Sequence, residues 1–200
     1  VDPHGDLCET ILNYIPANRI NDLVYLDPSD LDHTFRLNPL EVTDDYQREL
    51  VVSGIVAIFH KLYGTSWGPR LEYILRNSLL TAIQLPDATM LMIPQLLTDD
   101  DFRRDAMSKI TDPVLKNFWE KEFEHMPQRL RGEAISPILN KVGQFTGSRF
   151  IRNILQHPKS TIDFEDLMNK KKILLLNLSQ GKLGEDNSAL LGAMIITKIQ

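Results

Sequence analysis

Lys170-Lys171-Lys172-Ile173-Leu174-Leu175-Leu176-Asn177-Leu178-Ser179-Gln180-Gly181-Lys182-Leu183-Gly184 is the stretch that decides the fold. A short apolar run behind a lysine cluster, closed by Asn, Ser and Gly, has the pattern of a strand buried on both faces. The strand is placed at Ile173 to Leu178. Past Glu185-Asp186, Leu190, Leu191, Met194, Ile195 and Ile199 recur at helical spacing, so Asn187 or Ser188 is expected to cap a helix over 187–200. Strand, polar loop and helix form one arm of a parallel α/β sheet. Ligands of such sheets sit beyond the carboxyl ends of the strands, which makes Asn177 and Ser179 the candidate cofactor-binding positions.

Working outward, Val1-Asp2-Pro3-His4-Gly5-Asp6 reads as the end of another strand, with Val1 its last residue. The helical pattern also runs up to Gln200, so both ends read as cuts within a longer protein. Leu7, Ile11, Leu12 and Ile15 mark a short helix stopped by Pro16. Leu23-Val24-Tyr25-Leu26, ending in Asp27-Pro28-Ser29-Asp30, is a brief strand running into a proline turn. Strand, helix, strand predicts a parallel pair.

From Asn38-Pro39-Leu40 onward the periodicity is helical for more than a hundred residues. Leu50, Val51, Ile55, Ile58, Phe59 and Leu62 form one stripe, ended near Gly64. Leu71, Ile74, Leu75, Ser78, Leu79 and Ala82 form the next, opened by Gly68-Pro69. Thr98 with Asp101 resembles a capping box, and Asp112-Pro113 pairs a cap with the proline favoured at a first helical position. Val114, Leu115, Phe118 and Phe123 give one further stripe. Ile135, Ile138, Leu139 and Val142 give another, loosened by Gly143 and Gly147, before Phe150, Ile151, Ile154 and Leu155. Asp163 is expected to cap a single turn before the chain returns to its opening strand.

A chain of 200 residues with 42% apolar and 24% charged content suits one domain, or one domain carrying an insertion. Its net charge of -5 argues against wholesale coating of nucleic acid, so any basic surface must be local. The single cysteine, Cys8, excludes an internal disulfide and a four-cysteine zinc site. It reads as a small buried residue, since only His4 lies near it and no third group orients the pair. A lone cysteine fits a reducing compartment, so a cytoplasmic setting is expected, and since no run is long enough for a membrane-spanning helix, any anchor lies outside these residues.

Asp2, His4 and Asp6 make the densest polar cluster at a predicted strand end. They read as metal ligands, as caps and turn formers around Gly5, or as an acidic, imidazole-bearing edge beside a nucleotide. Gly181-Lys182 is no phosphate loop, because Leu176 and Leu183 stand where Gly and Ser or Thr are needed. The run into Asn177 likewise lacks the Asp-Glu pair of a Walker B strand. In the helical block Arg70, Arg76, Arg103, Arg104, Arg129, Arg131, Arg149 and Arg152 accompany Trp67 and Trp119. They read as solvated faces interleaved with acids or as a grip on single-stranded nucleic acid or a partner.

Taken in order, Asp2-Pro3-His4-Gly5-Asp6, Tyr25 to Asp30, Asn38-Pro39-Leu40, Trp67-Gly68-Pro69-Arg70 and Ile173 to Gly184 resemble the HerA/FtsK-type P-loop ATPases. The likeness is greatest to the type IV secretion coupling proteins, TraG/TraD-like ATPases of conjugative DNA transfer. The resemblance implies part of a RecA-like parallel α/β sheet interrupted by a large all-α insertion. Residues 1–45 would begin the nucleotide-binding domain, 46–160 would form the insertion, and 161–200 would return to it. It also implies a homo-hexamer using ATP and Mg2+, with Walker A and Walker B outside this segment and no cofactor for the segment alone. The resemblance places Asp2, His4 and Asp6 near the nucleotide as candidate catalytic residues. It makes the insertion, with Trp67, Arg70, Arg149 and Arg152, the contact for single-stranded DNA or a relaxase of the type IV secretion machinery at the cytoplasmic face of the inner membrane. A helical interaction module on a degenerate nucleotide-binding frame, without ATPase activity, is the alternative.

Overall fold

A computed structural model describes residues 1–199 of the chain. Leu23–Leu26 (β1) and Ile173–Leu176 (β2) pair in parallel, with Leu23 opposite Ile173 and Leu26 opposite Leu176. On the other edge of β2 an isolated parallel bridge joins Asp2 to Asn177. Asp2 N–H donates to the Leu176 carbonyl and Leu178 N–H donates to the Asp2 carbonyl, both at 2.8 Å. Asn177 N–H faces the opposite way and donates to the Leu26 carbonyl at 2.9 Å. Successive peptide groups of a strand alternate sides, so β2 lies between β1 and the start of the chain. Three chain segments thus end side by side.

The remainder is mostly helical. Asp6–Leu12 (α1) and a 3-10 turn over Ala17–Asp22 precede β1. Gln47–Tyr63 (α2), Pro69–Ala82 (α3), Met92–Thr98 (α4), Asp100–Lys109 (α5) and Pro113–Asn117 (α6) follow. A π-helical segment, Phe118–Phe123, continues α6 before Gln128–Gly147 (α7) and Arg149–Leu155 (α8). Phe164–Asn169 (α9) leads into β2, after which come Gln180–Leu183 (α10) and Glu185–Ile199 (α11).

Helix α3 is the hub of the block, packing against α2, α4, α6 and α7. Its buried residues Leu71, Ile74, Leu75, Ser78, Leu79 and Ala82 fall at helical spacing, so one face is covered along its whole length. Trp119 is buried and donates its indole N–H to Thr81 Oγ1 at 2.8 Å, which satisfies the one polar atom it takes into the core. Phe118 and Phe123 both pack edge-on against it. The guanidinium groups of Arg103 and Arg131 each lie over the Phe123 ring, 5.1 Å from its centroid. At the other side of the block α11 rests on α2. One hydrophobic cluster runs from Leu26 through the helices to Ile195.

The RecA-like parallel α/β sheet expected from the resemblance is not present among the described residues. Two four-residue strands and one bridge are all that pair. The apolar runs at Leu23–Leu26 and from Ile173 do pair as strands, although β2 closes at Leu176 and not at Leu178, but the number of neighbours a strand has is a non-local property that such runs do not encode. The expected burial on both faces also fails over half of β2. Leu175 and Leu176 are buried, whereas Ile173 and Leu174 are only half-covered and Tyr25 of β1 is exposed. The core is built chiefly by helix on helix.

Several boundaries differ from the sequence expectation for identifiable reasons. Asp99, not Thr98, caps α5, its carboxylate accepting the N–H groups of Asp101 and Phe102 at 3.0 Å, while Thr98 closes α4. Helix α7 runs on through Gly143 to Gly147 and carries Pro137 inside it, because Ile138, Val142 and Phe145 bury one face throughout. Helix α11 opens at Glu185, so Asn187 and Ser188 lie inside it. Asp112 with Pro113 and Asp163 cap α6 and α9 as expected.

Candidate functional site

The ends of the three parallel segments gather Asp2, Asn177 and Ser179 into one cluster. Asp2 is 4% exposed and its two carboxylate oxygens accept the backbone N–H groups of His4 at 3.0 Å and Cys8 at 2.9 Å. Burial alone would push its carboxyl up, but the N–H groups of Cys8, His4, Gly5 and Leu7 outweigh that and hold it below the ordinary value. The turn between them needs Gly5, whose φ of 95° is left-handed and where a Cβ would stand 3.0 Å from Asn177 Oδ1.

Asn177 is itself 2% exposed and spends its amide inside the protein. Its Nδ2 donates to the Tyr25 hydroxyl at 2.9 Å and its Oδ1 accepts Ser179 N–H at 3.1 Å. Ser188 Oγ donates to the Leu178 carbonyl at 2.6 Å, fastening α11 to the end of β2. At the mouth of the cluster Asp27 Oδ1 accepts Ser29 N–H and Oγ–H, and Lys182 Nζ lies 3.5 Å from Asp27 Oδ2. The arrangement orders backbone turns. Asp2 and Asn177 have little left to offer a ligand.

His4 and Asp6 are exposed beside this cluster and do not join its hydrogen bonds through their side chains. Cys8 is 2% exposed, and burial together with the neighbouring Asp2 charge pushes its thiol up, as for a packed core thiol. The donor set does not fit ATP with Mg2+. Gly181 and Lys182 lie within α10, the Lys182 ammonium faces Asp27, and both Asp2 oxygens are taken by backbone N–H groups.

The residues singled out in the helical block fall into two separate places. Trp67 and Arg70 bracket the start of α3. Trp67 is half-buried, donates Nε1–H to Glu72 Oε2 at 2.8 Å and lies with its ring 5.5 Å from that of His60. Arg149 and Arg152 lie exposed on α8, which packs on α7 through Ile151, Ile154 and Leu155. Arg152 gives one N–H to the Thr146 carbonyl at 3.0 Å.

Ion pairing sorts the arginines of the block further. Arg76 pairs with Glu72, Arg103 with Asp100 and Glu124, Arg104 with Asp101, and Arg129 with Glu133. Arg70, Arg131, Arg149 and Arg152 have no carboxylate partner among the described residues, and Arg131 is spent on the Glu124 carbonyl and the Phe123 ring. Sequence reasoning missed the Tyr25 hydroxyl as the partner of Asn177 and Asp27 as that of Lys182. Both stand at the predicted end of β1, and that position is the signal that would have found them. No helix among the described residues is long and apolar enough to cross a membrane. Comparison with protein-family models, curated proteins and solved structures gave no significant match.

Proposed function

We propose that this chain is the recognition segment of an ATP-driven DNA translocase of the type IV secretion and conjugation kind, and that its helical block engages single-stranded DNA. The observation that carries the reading is the pair Arg149 and Arg152, exposed on α8 with no acid paired to either. Guanidinium groups held on a packed helix and left without a carboxylate are suited to phosphate oxygens, to which Arg donates in fork geometry. The paired Arg76, Arg104 and Arg129 are neutralised on the spot and serve the surface.

The motor class comes from the ordered motifs of the sequence, with ATP, Mg2+, the homo-hexamer, the relaxase and the secretion machinery belonging to the whole protein. Within this segment the division of labour is recognition without chemistry, since Asp2 and Asn177 are committed to the fold. Labelled single-stranded DNA titrated with the chain at several salt concentrations tests the reading. Binding should weaken linearly in log K against log salt, as phosphate contacts require. Absence of binding at low salt would overturn it.

A further inference from the structure

The surface next to α8 holds a polar cavity of about 260 Å³ lined by Thr34, Arg36, Asn153, Gln156 and His157. Two amphipathic segments create it. Phe35 and Leu37 are buried and Arg36 between them is exposed, as alternation in an extended segment dictates. On α8 the residues Ile151, Ile154 and Leu155 face the core, which leaves Asn153, and Gln156 just beyond the helix, on the outer side. The two segments are tied by the Leu37 N–H, which donates to the Ile154 carbonyl at 3.0 Å, and Arg36 is held from the other side by Thr161, whose Oγ1 accepts the Arg36 N–H and whose N–H donates to the Arg36 carbonyl.

The lining has a definite chemistry. It contains a guanidinium, an imidazole, two primary amides and a hydroxyl, and no carboxylate. Thr34 Oγ donates to the Asp30 and Leu31 carbonyls, whereas the side chains of Arg36, Asn153, Gln156 and His157 have no hydrogen-bond partner within the protein among the described residues. With a guanidinium and no carboxylate in the lining, the charge balance disfavours a cation, and an apolar ligand gains little.

We propose that this cavity is an oxyanion site for a phosphate group. Arg36 offers two parallel N–H donors, and Asn153 and Gln156, three apart along α8 and its end, offer two more from the opposite wall. Donors on two walls suit a tetrahedral anion better than a planar carboxylate, and the space of about 260 Å³ equals several water volumes of about 30 Å³ each. The phosphate comes either from a nucleic-acid backbone or from a free phosphate. The proposal goes beyond the assignment of Arg149 and Arg152 and does not depend on the translocase reading.

The test is a titration of inorganic phosphate into the chain, and in parallel of a short oligothymidylate, followed by the side-chain amide signals of Asn153 and Gln156 and the ring signals of His157. A saturable shift with phosphate, absent with chloride at matched ionic strength, is expected, and Arg36→Gln should weaken it about tenfold. Arg36→Gln keeps the backbone bonds to Thr161, and Asn153→Ala is a second variant that removes a donor without touching a partner. If the oligothymidylate moves the same signals and displaces phosphate, the backbone is the source; if only phosphate moves them, the source is a free anion. The Arg149→Ala, Arg152→Ala double variant should lose DNA affinity while keeping the phosphate shift, which separates failure of one proposal from failure of the other. No saturable shift from either ligand, or shifts unchanged by Arg36→Gln and Asn153→Ala, would overturn the site.

Discussion

Asp2 and Cys8 are joined by a hydrogen bond of 2.9 Å from the Cys8 backbone N–H to the Asp2 carboxylate, so the acid that opens the chain holds the first helix in place. A residue whose position beyond a strand invites a catalytic assignment here accepts an N–H from the first turn of α1, whose N-cap is Gly5. The distinction has measurable consequences.

Asp2→Ala should cost about 1–3 kcal/mol, because it leaves the buried N–H of Cys8 and the partly buried N–H of His4 without their acceptor. The carboxyl is held below its ordinary value of 3.8 in the folded state. Its stabilisation is therefore present above that value and is lost as pH falls through the folded-state value. Urea denaturation across a pH series should show wild type and variant furthest apart near neutrality and converging in acid. A difference independent of pH would mean that the charge on Asp2 contributes nothing.

Asn177→Ala should also cost about 1–3 kcal/mol, and Tyr25→Phe about 1 kcal/mol, since each unpairs a group of one shared network. The double variant should cost less than the sum, as contacting residues do. Strict additivity in equilibrium unfolding would show that the 2.9 Å bond between them carries no energy.

At Gly5 two costs are superimposed. Gly5→Ala forces a side chain into a left-handed backbone, about 1–2 kcal/mol, and brings a Cβ to 3.0 Å from Asn177 Oδ1. Combining it with Asn177→Ala should remove the steric part alone. Full recovery of the Asn177→Ala stability in the double variant would indicate that the backbone there is unstrained.

How much of this was legible follows from what each signal is made of. Leu23–Leu26, the opening of β2 at Ile173, Pro69 at the start of α3 and the caps Asp112 and Asp163 are written in neighbouring residues, and they stand where the local pattern puts them. The sheet was not legible, because Asp2 meets Asn177 across 175 positions and nothing near either residue states how many strands lie alongside. The site was half legible. Strand-end position brought out Asp2, Asn177 and Ser179, but whether a side chain faces a ligand or the backbone depends on Gly5, Tyr25 and Cys8, which no spacing rule connects.

The cap of α5 offers a compact check on the corrected boundary. Asp99→Ala should lower stability by about 1 kcal/mol through loss of the bonds to Asp101 and Phe102. Thr98→Ala, whose hydroxyl bonds only to the Pro94 carbonyl, should stay within about 0.5 kcal/mol of wild type. Thermal melts followed by circular dichroism would show the contrast, and the reverse order would restore Thr98 as the cap.

The most direct test of the central claim, that α8 presents unpaired arginines to single-stranded DNA, is fluorescence anisotropy of a labelled oligonucleotide over a salt series. The wild type should be compared with Arg149→Ala, Arg152→Ala and, as a control, with Arg129→Ala, whose guanidinium is paired to Glu133 at 3.1 Å. The double variant should bind more weakly and lose about 0.7 from the magnitude of the log–log salt slope for each phosphate contact removed, while Arg129→Ala leaves the slope unchanged. A slope and affinity that stay at the wild-type values in the double variant would contradict the account.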